Sequence, residues 1–265
     1  MKHSGTMQVV ACLAAAVCLA GCGGKREAIT LAGSTAFQPF AEKLASDYMA
    51  AHPEVRITVQ GGGSAVGIQS ALSGAAQVGM ADLVKLPPEA ANLTSTVVAR
   101  DGIAVVVHPS NAVSNMTPEQ VRDVFSGKIG NWSELGGSDA PITVVSREAG
   151  SGTRTSFEQI VGLENLTADA LIQDSNGTVR ETVANDARAV GYLSHGLLNE
   201  RIRDVALDGH RCTNPEIAAG GYTLVRPVFL LTQGAPQGLS KTFIDYVLSA
   251  EGQKTIEVSG LIPAR

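Results

Sequence analysis

The chain has few of the residues that most functional classes depend on. Aromatic side chains are only 4% of its 265 residues, against 29 glycines, a balance that suits an α/β protein with many tight loops. Lys and Arg number 20 against 25 Asp and Glu, giving a net charge of −5, and no basic run occurs. Nucleic-acid binding therefore lacks its electrostatic footprint. The five histidines show no H-x-x-x-H spacing or other ligand cluster, so no metal and no cofactor is expected. The phosphate-binding motif G-x-x-x-x-G-K-[ST] is missing, as are the hydrolase motifs G-x-S-x-G and S-x-x-K. Gly61-Gly62-Gly63-Ser64-Ala65-Val66 fails as G-x-G-x-x-G because Val66 holds the last glycine position. No enzyme is expected from this inventory. What remains is 44% hydrophobic and 17% charged, ordinary for a globular protein and long enough for two modest lobes.

Long apolar runs are also scarce. The longest opens the chain, after Lys2 and His3, at positions 9–20, and its 12 residues cannot span a bilayer as a helix. It has the length of a signal-peptide core. It ends in Leu19-Ala20-Gly21-Cys22, which resembles the lipobox of bacterial lipoproteins. That likeness implies a signal peptide over 1–21, lipidation at Cys22, a tether over 22–28 and a lipid-anchored chain on the periplasmic face of a membrane, touching the membrane through the anchor only. Of four cysteines, Cys12 and Cys18 leave with the signal and Cys22 is acylated, so Cys212 stands alone and no intrachain disulfide is available.

From residue 29 the pattern repeats strand, Gly/Ser loop, helix. A short apolar strand at 29–32 precedes Phe37, Phe40, Ala41, Leu44, Ala45, Tyr48 and Met49 at helical spacing. Val55, Ile57 and Val59 alternate as a strand does. A helix with Ile68, Ala71 and Leu72 inward stops at Gly74, and 77–81 forms a third strand. This βαβαβ order predicts a parallel sheet with ligand loops at the strand C-termini. Further strands are predicted at 102–107, 142–145, 189–193 and 225–231. Helices are predicted to start at Thr117-Pro118-Glu119-Gln120, which carries a capping box, and at Ser175-Asn176-Gly177. One C-terminal helix is predicted over 239–258. The division expected is 29–103 plus 228–265 for one lobe and 104–227 for the other.

Three loops share one design: Gly33-Ser34-Thr35-Ala36, Gly61-Gly62-Gly63-Ser64-Ala65 and Gly150-Ser151-Gly152-Thr153. Each follows a strand, is rich in hydroxyls and glycine, and precedes a helix. Helix N-termini present unpaired N–H groups and a partial positive charge, so such loops bind anions without positive net charge. Arg147 precedes the third loop, and guanidinium fits an oxyanion through paired donors. Asp82 ends the third strand where these loops converge. A carboxylate there suits an anion that carries a proton, because it accepts that proton and repels an anion without one. Hydrogen phosphate meets the requirement and sulfate does not; the alternatives are a binder of another oxyanion or a phosphatase, the latter needing a base paired with Ser151 or Thr35. His52, His108 and His195 read as structural or exposed, Arg154 as an exposed helix residue, and Asn131 and Trp132 as architectural.

In sequence order these segments resemble the phosphate-binding proteins of bacterial Pst-type ABC transporters. The likeness rests on Leu31-Ala32-Gly33-Ser34-Thr35, Gln60-Gly61-Gly62-Gly63-Ser64, Val78-Gly79-Met80-Ala81-Asp82 and Arg147-Glu148-Ala149-Gly150-Ser151-Gly152-Thr153. It extends to the segment from Phe125 to Trp132, to Ser175-Asn176-Gly177 and to Arg226-Pro227. It implies a type II periplasmic-binding fold, with two α/β lobes joined by two crossing strands and the ligand in the cleft. It implies inorganic phosphate as ligand, held by Ser34, Thr35, Ala36, Ser64, Asp82, Arg147, Ser151, Gly152 and Thr153. Permease subunits of an ABC importer would be the protein partners of a monomeric chain. Ala81-Asp82-Leu83 departs from many short relatives of that family, which carry Ala-Ser-Arg there.

Overall fold

The structure is a computed structural model that describes residues 26–264. The expected signal peptide, Cys22 and the first part of the tether lie outside these residues. Among the described residues, no helix is long and apolar enough to cross a membrane.

The chain opens with β1 (Glu27–Gly33), α1 (Gln38–Ala51), β2 (Val55–Gln60), α2 (Ser64–Ser73) and β3 (Val78–Asp82). The three strands are parallel in the order β2-β1-β3, as the alternating pattern predicted. α1 buries Phe40, Ala41, Leu44, Ala45 and Tyr48, the stripe its spacing announced. α2 stops at Gly74, whose left-handed φ of 75° a side chain would disfavour.

The 15-residue β4 (Leu93–Val107) then crosses the molecule. β5 (Asn115–Met116), α3 (Pro118–Phe125), β6 (Thr143–Arg147), α4 (Gly152–Val161), β7 (Leu171–Gln173), α5 (Asn176–Asn185) and β8 (Ala189–Ser194) follow. Next come β9 (Arg203–Asp204), β10 (Ala206–Leu207), α6 (Asn214–Ala218), β11 (Val225–Gln233), α7 (Gly238–Leu248), α8 (Ala250–Val258) and β12 (Ile262–Pro263). α3 has its capping box: Gln120 N donates to Thr117 Oγ1 at 3.1 Å and Thr117 N to Gln120 Oε1 at 2.9 Å. The single C-terminal helix predicted over 239–258 is instead two. Ser249 adopts ψ 165° and ends α7, and its Oγ caps α8 by accepting from Gly252 N at 3.2 Å.

The main path of the large sheet runs β2-β1-β3-β11-β4-β8-β6-β7. β4 is antiparallel to β11 along Leu93–Gly102 and to β8 along Ile103–Val107. It therefore serves the two large hydrophobic cores, and its Leu93 joins a smaller cluster under α2 with Ile68, Ala71 and Leu231. One large core gathers Leu31, Leu44, Met80 and Phe243. The other gathers Val105, Val145, Val190 and Trp132, with Phe157 stacked on Tyr192 at 4.0 Å. Trp132 Nε1 donates to Arg188 O at 2.8 Å, and Asn131 Oδ1 accepts from Ser133 N at 2.9 Å, so both are architectural as read. Cys212 is a buried free thiol.

Candidate anion-binding site

The first wall is built where β1 and β3 end. Gly33 has φ 135°, and a Cβ there would lie 2.2 Å from Met80 O, so only glycine lets β1 turn this tightly beside β3. The turn places Ser34, whose Oγ accepts from Ala36 N at 3.2 Å and Phe37 N at 3.0 Å. The Ser34 hydroxyl also favours the charged form of the Asp82 carboxyl. Ala36 N–H, expected to face an anion, is thus directed to Ser34. Ser64 Oγ donates to Asp82 Oδ1 at 2.9 Å and accepts from Asp82 N at 3.1 Å, so its hydroxyl also serves the carboxylate.

The second wall begins at Arg147, the last residue of β6 and 1% exposed. Its Nε and Nη2 fork onto Glu148 at 2.8 Å each, combining the site position with the neighbouring ion pair. Nη2 also reaches across to Thr35 Oγ1 at 3.2 Å. Ser151 is the N-cap of α4, its Oγ accepting from Arg154 N at 3.2 Å. Gly152 and Thr153 open that helix, and N–H groups at these positions have no acceptor within the helix. Arg154 is half-buried and turns to Glu158 at 2.6 Å and to Arg147 O at 2.9 Å.

The two walls touch. Ala65 N donates to Gly150 O at 3.2 Å, and Val84 N to Ser156 Oγ at 3.2 Å. A Cβ on Gly152 would lie 2.1 Å from Ser64 Oγ and 2.5 Å from Asp82 O. The nine residues selected from the loops are therefore brought together across one seam.

Two partners were missed as site residues. Asn176, fully buried at the start of α5, donates through Nδ2 to Thr35 Oγ1 at 3.2 Å and accepts Ser194 N at 3.1 Å. Arg226 on β11 lies behind Asp82, with its Nη2 2.5 Å from Asp82 Oδ2 and 2.8 Å from Asp101 Oδ2. The other Asp101 oxygen accepts the Ser194 hydroxyl at 2.7 Å and lies 3.3 Å from His195 Nδ1. The available signal was charge in an apolar strand: Arg226 interrupts one and Asp101 precedes one, and buried charges come paired. His195 is structural, as read, and belongs to this polar chain.

Burial pushes the Asp82 carboxyl above its ordinary value; Arg226 is the strongest opposing influence, followed by Ser34. At Asp101 burial acts the same way, but Arg226 and His195 outweigh it and the carboxyl falls below its ordinary value. Burial would depress His195, yet Asp101 and Asn214 raise it.

Two buried site atoms have no hydrogen-bond partner: Arg147 Nη1 and Asp82 Oδ2. Arg226 lies close to Asp82 Oδ2 as an ion pair, but not in hydrogen-bond alignment. One orphan is a charged donor on the guanidinium that meets Thr35, and the other an acceptor on the carboxylate that meets Ser64. Among the described residues, no group of three or more His, Cys, Asp and Glu could hold a metal ion.

A curled α/β sheet with two large cores and a seam of anion-seeking groups defines the class of two-lobed solute-binding proteins. Residues 20–251 match the PBP superfamily domain. The chain is 34% identical to phosphate-binding protein PstS of Bacillus subtilis (strain 168) over 240 residues, 89% of this chain and 80% of that one. Its structure is similar to a Clostridium perfringens protein crystallised with bound phosphate (TM-score 0.87, 36% identity, 90% of this chain and 100% of that one). It also resembles an ABC-type phosphate transport receptor from Vibrio cholerae (TM-score 0.75, 35% identity, 88% of this chain and 99% of that one). The chain belongs to the PBP superfamily and, within it, to the PstS-type phosphate-binding proteins.

Proposed function

We propose that this protein captures inorganic phosphate between its two walls and delivers it to the permease of an ABC importer. The observation that carries the reading is the pair of buried orphans. Arg147 Nη1 offers a charged donor and Asp82 Oδ2 an acceptor, in walls that touch. Hydrogen phosphate matches both, with oxygens for the guanidinium and one O–H for the carboxylate. Sulfate lacks the O–H, leaving Asp82 Oδ2 without a hydrogen bond and the carboxylate repelling the anion. In this reading Thr35, Gly152 and Thr153 supply further donors, Ser64 holds Asp82, Ser34 holds the turn into α1, Ser151 holds the α4 terminus, and Asn176 holds Thr35. The names of the relatives support phosphate as ligand, and the Vibrio cholerae name supports transport.

The lobes we assign are 29–103 plus 228–265, and 104–227. The hinge falls where β4 leaves β11 for β8, marked by Ile103 N donating to Leu224 O at 2.8 Å. We read the protein as a binder rather than an enzyme. Ser151 Oγ accepts a helix amide, and Thr35 Oγ1 accepts from Arg147 and Asn176, so neither is paired with a base. One chain carries every group used, which supports a monomer. The lipobox-like Leu19-Ala20-Gly21-Cys22 supports a chain on the periplasmic face, anchored at Cys22.

Calorimetric titration of the purified protein with phosphate and with sulfate tests this function. Tight phosphate and weak sulfate binding is expected; absent phosphate binding, or equal affinity for the two, overturns it.

A further inference from the structure

Asp82 and Asp101 are each 1% exposed, and one guanidinium serves both. Arg226 is itself 1% exposed. Its Nη2 approaches both carboxylates, its Nε faces Asp101 Oδ2 at 3.3 Å, and its Nη1 donates to the Asp82 carbonyl at 3.3 Å. The cluster thus holds two carboxylates and one permanent cation. The second cation is conditional: His195 Nδ1 lies 3.3 Å from Asp101 Oδ1, while its Nε2 meets Asn214 Oδ1 at 2.6 Å.

A carboxyl buried without a cation takes up a proton rather than remain charged. For Asp82 that change would be decisive. As a carboxylate it accepts the proton of a protonated anion and repels an anion without one. As a carboxylic acid it offers its own O–H, which any oxyanion can accept. Discrimination at the seam therefore lasts only while Asp82 is ionised. The groups that face it are Arg226 from β11, Ser34 beyond β1, Ser64 of α2 and, more distantly, Asp101 of β4. Arg226 alone among these is a cation.

We propose that Arg226, although all three of its nitrogens face Asp82 and Asp101 rather than the seam, is the positioning residue that sets anion specificity by keeping Asp82 ionised, and that Asp101 limits its effect by competing for the same guanidinium. The inference rests on the phosphate reading and deepens it.

The test is the ratio of phosphate to sulfate affinity across the acid range, measured by calorimetry for the unaltered protein, Asp101→Asn and Arg226→Gln. Ionisation of the free anions is common to all three and cancels. An arginine beside an aspartate lowers the carboxyl pKa by about one to three. Arg226→Gln should therefore move the acid limit of phosphate preference upward by about one pH unit or more, and cut the ratio roughly tenfold at the wild-type limit. Asp101→Asn should move that limit downward. Arg226→Gln removes a buried cation and can fail to fold. A carboxyl-carbon NMR titration of Asp82 in the unaltered and Asp101→Asn proteins gives the same answer directly: ionised at neutral pH, with a lower midpoint in the variant. Asp82 protonated at neutral pH, or identical midpoints and ratios in foldable variants, overturns the proposal. Failure of the unaltered protein to bind phosphate overturns the functional reading instead.

Discussion

Arg147 and Arg226 are equally buried, both end or interrupt an apolar strand, and both are paired with carboxylates, yet they are built for different work. Every nitrogen of Arg226 faces Asp82 or Asp101. Arg147 forks onto Glu148 with two nitrogens and leaves Nη1 without a partner. Its partner is also different, since the Glu148 side chain is 31% exposed whereas those of Asp82 and Asp101 are 2% exposed. A buried arginine is thus a structural clamp or a ligand donor according to what it leaves unsatisfied, not according to its depth.

The largest effect expected of breaking that contrast is on stability. Arg226→Ala strands two buried carboxylates and should lower the unfolding free energy by about 3–5 kcal/mol in urea denaturation. A loss comparable to that of an exposed ion pair would remove the distinction. Arg147→Ala should spare stability, because water reaches Glu148, and should weaken phosphate binding by about 1.5–3 kcal/mol. That is roughly a ten- to hundredfold rise in Kd by calorimetry. Contact between the walls can be probed without touching either arginine. Gly152→Ala drives a Cβ to 2.1 Å from Ser64 Oγ, whereas Gly150→Ala meets only Ala65 Cβ at 3.5 Å. The first should cost about 1–3 kcal/mol of affinity and the second almost none, and equal effects would mean the walls separate on binding.

The smallest effects sharpen the difference between the two carboxylates. Asp82→Asn should relax the preference for phosphate over sulfate in the same titrations. The pH dependence of stability should also differ in sign. Asp82 is raised above 3.8 in the fold, so its contribution is present below that value and is lost as pH rises through the folded pKa. Asp101 is lowered, so its contribution is present above 3.8 and is lost as pH falls through the folded pKa. At neutral pH, Asp82→Asn should therefore leave urea midpoints unchanged or higher, and Asp101→Asn should lower them.

Most of the fold was legible because its signals are local. The alternation of Val55, Ile57 and Val59, the α1 stripe and the Thr117 capping box each need only a few neighbours to act. Arg147 and Asp82 were legible for the same reason, since each ends a strand next to a recognisable loop. What escaped depends on distant juxtaposition. Arg226 reaches Asp82 across 144 positions, and no local pattern announces a shared guanidinium. Asn176 looked only like a helix opener. The hydroxyls of Ser34, Ser64 and Ser151 were assigned to an anion, but nearby amides and a carboxylate claim them first. The break at Ser249 was hidden because Phe243, Val247 and Ile256 keep an apolar face on both sides of it.

The sheet order has a consequence for how the chain comes into being. β11 lies between β3 and β4, so the first 224 residues hold two strands whose shared neighbour has not yet been made. Until that strand arrives, both edges are open and prone to pair wrongly. A nascent chain cannot complete this sheet from its N-terminal portion, however well its early βαβ unit forms. For a polypeptide whose N-terminus reads as a signal peptide, this delay is useful. The topology postpones the finished structure until nearly the whole chain has emerged, and so keeps it threadable during export.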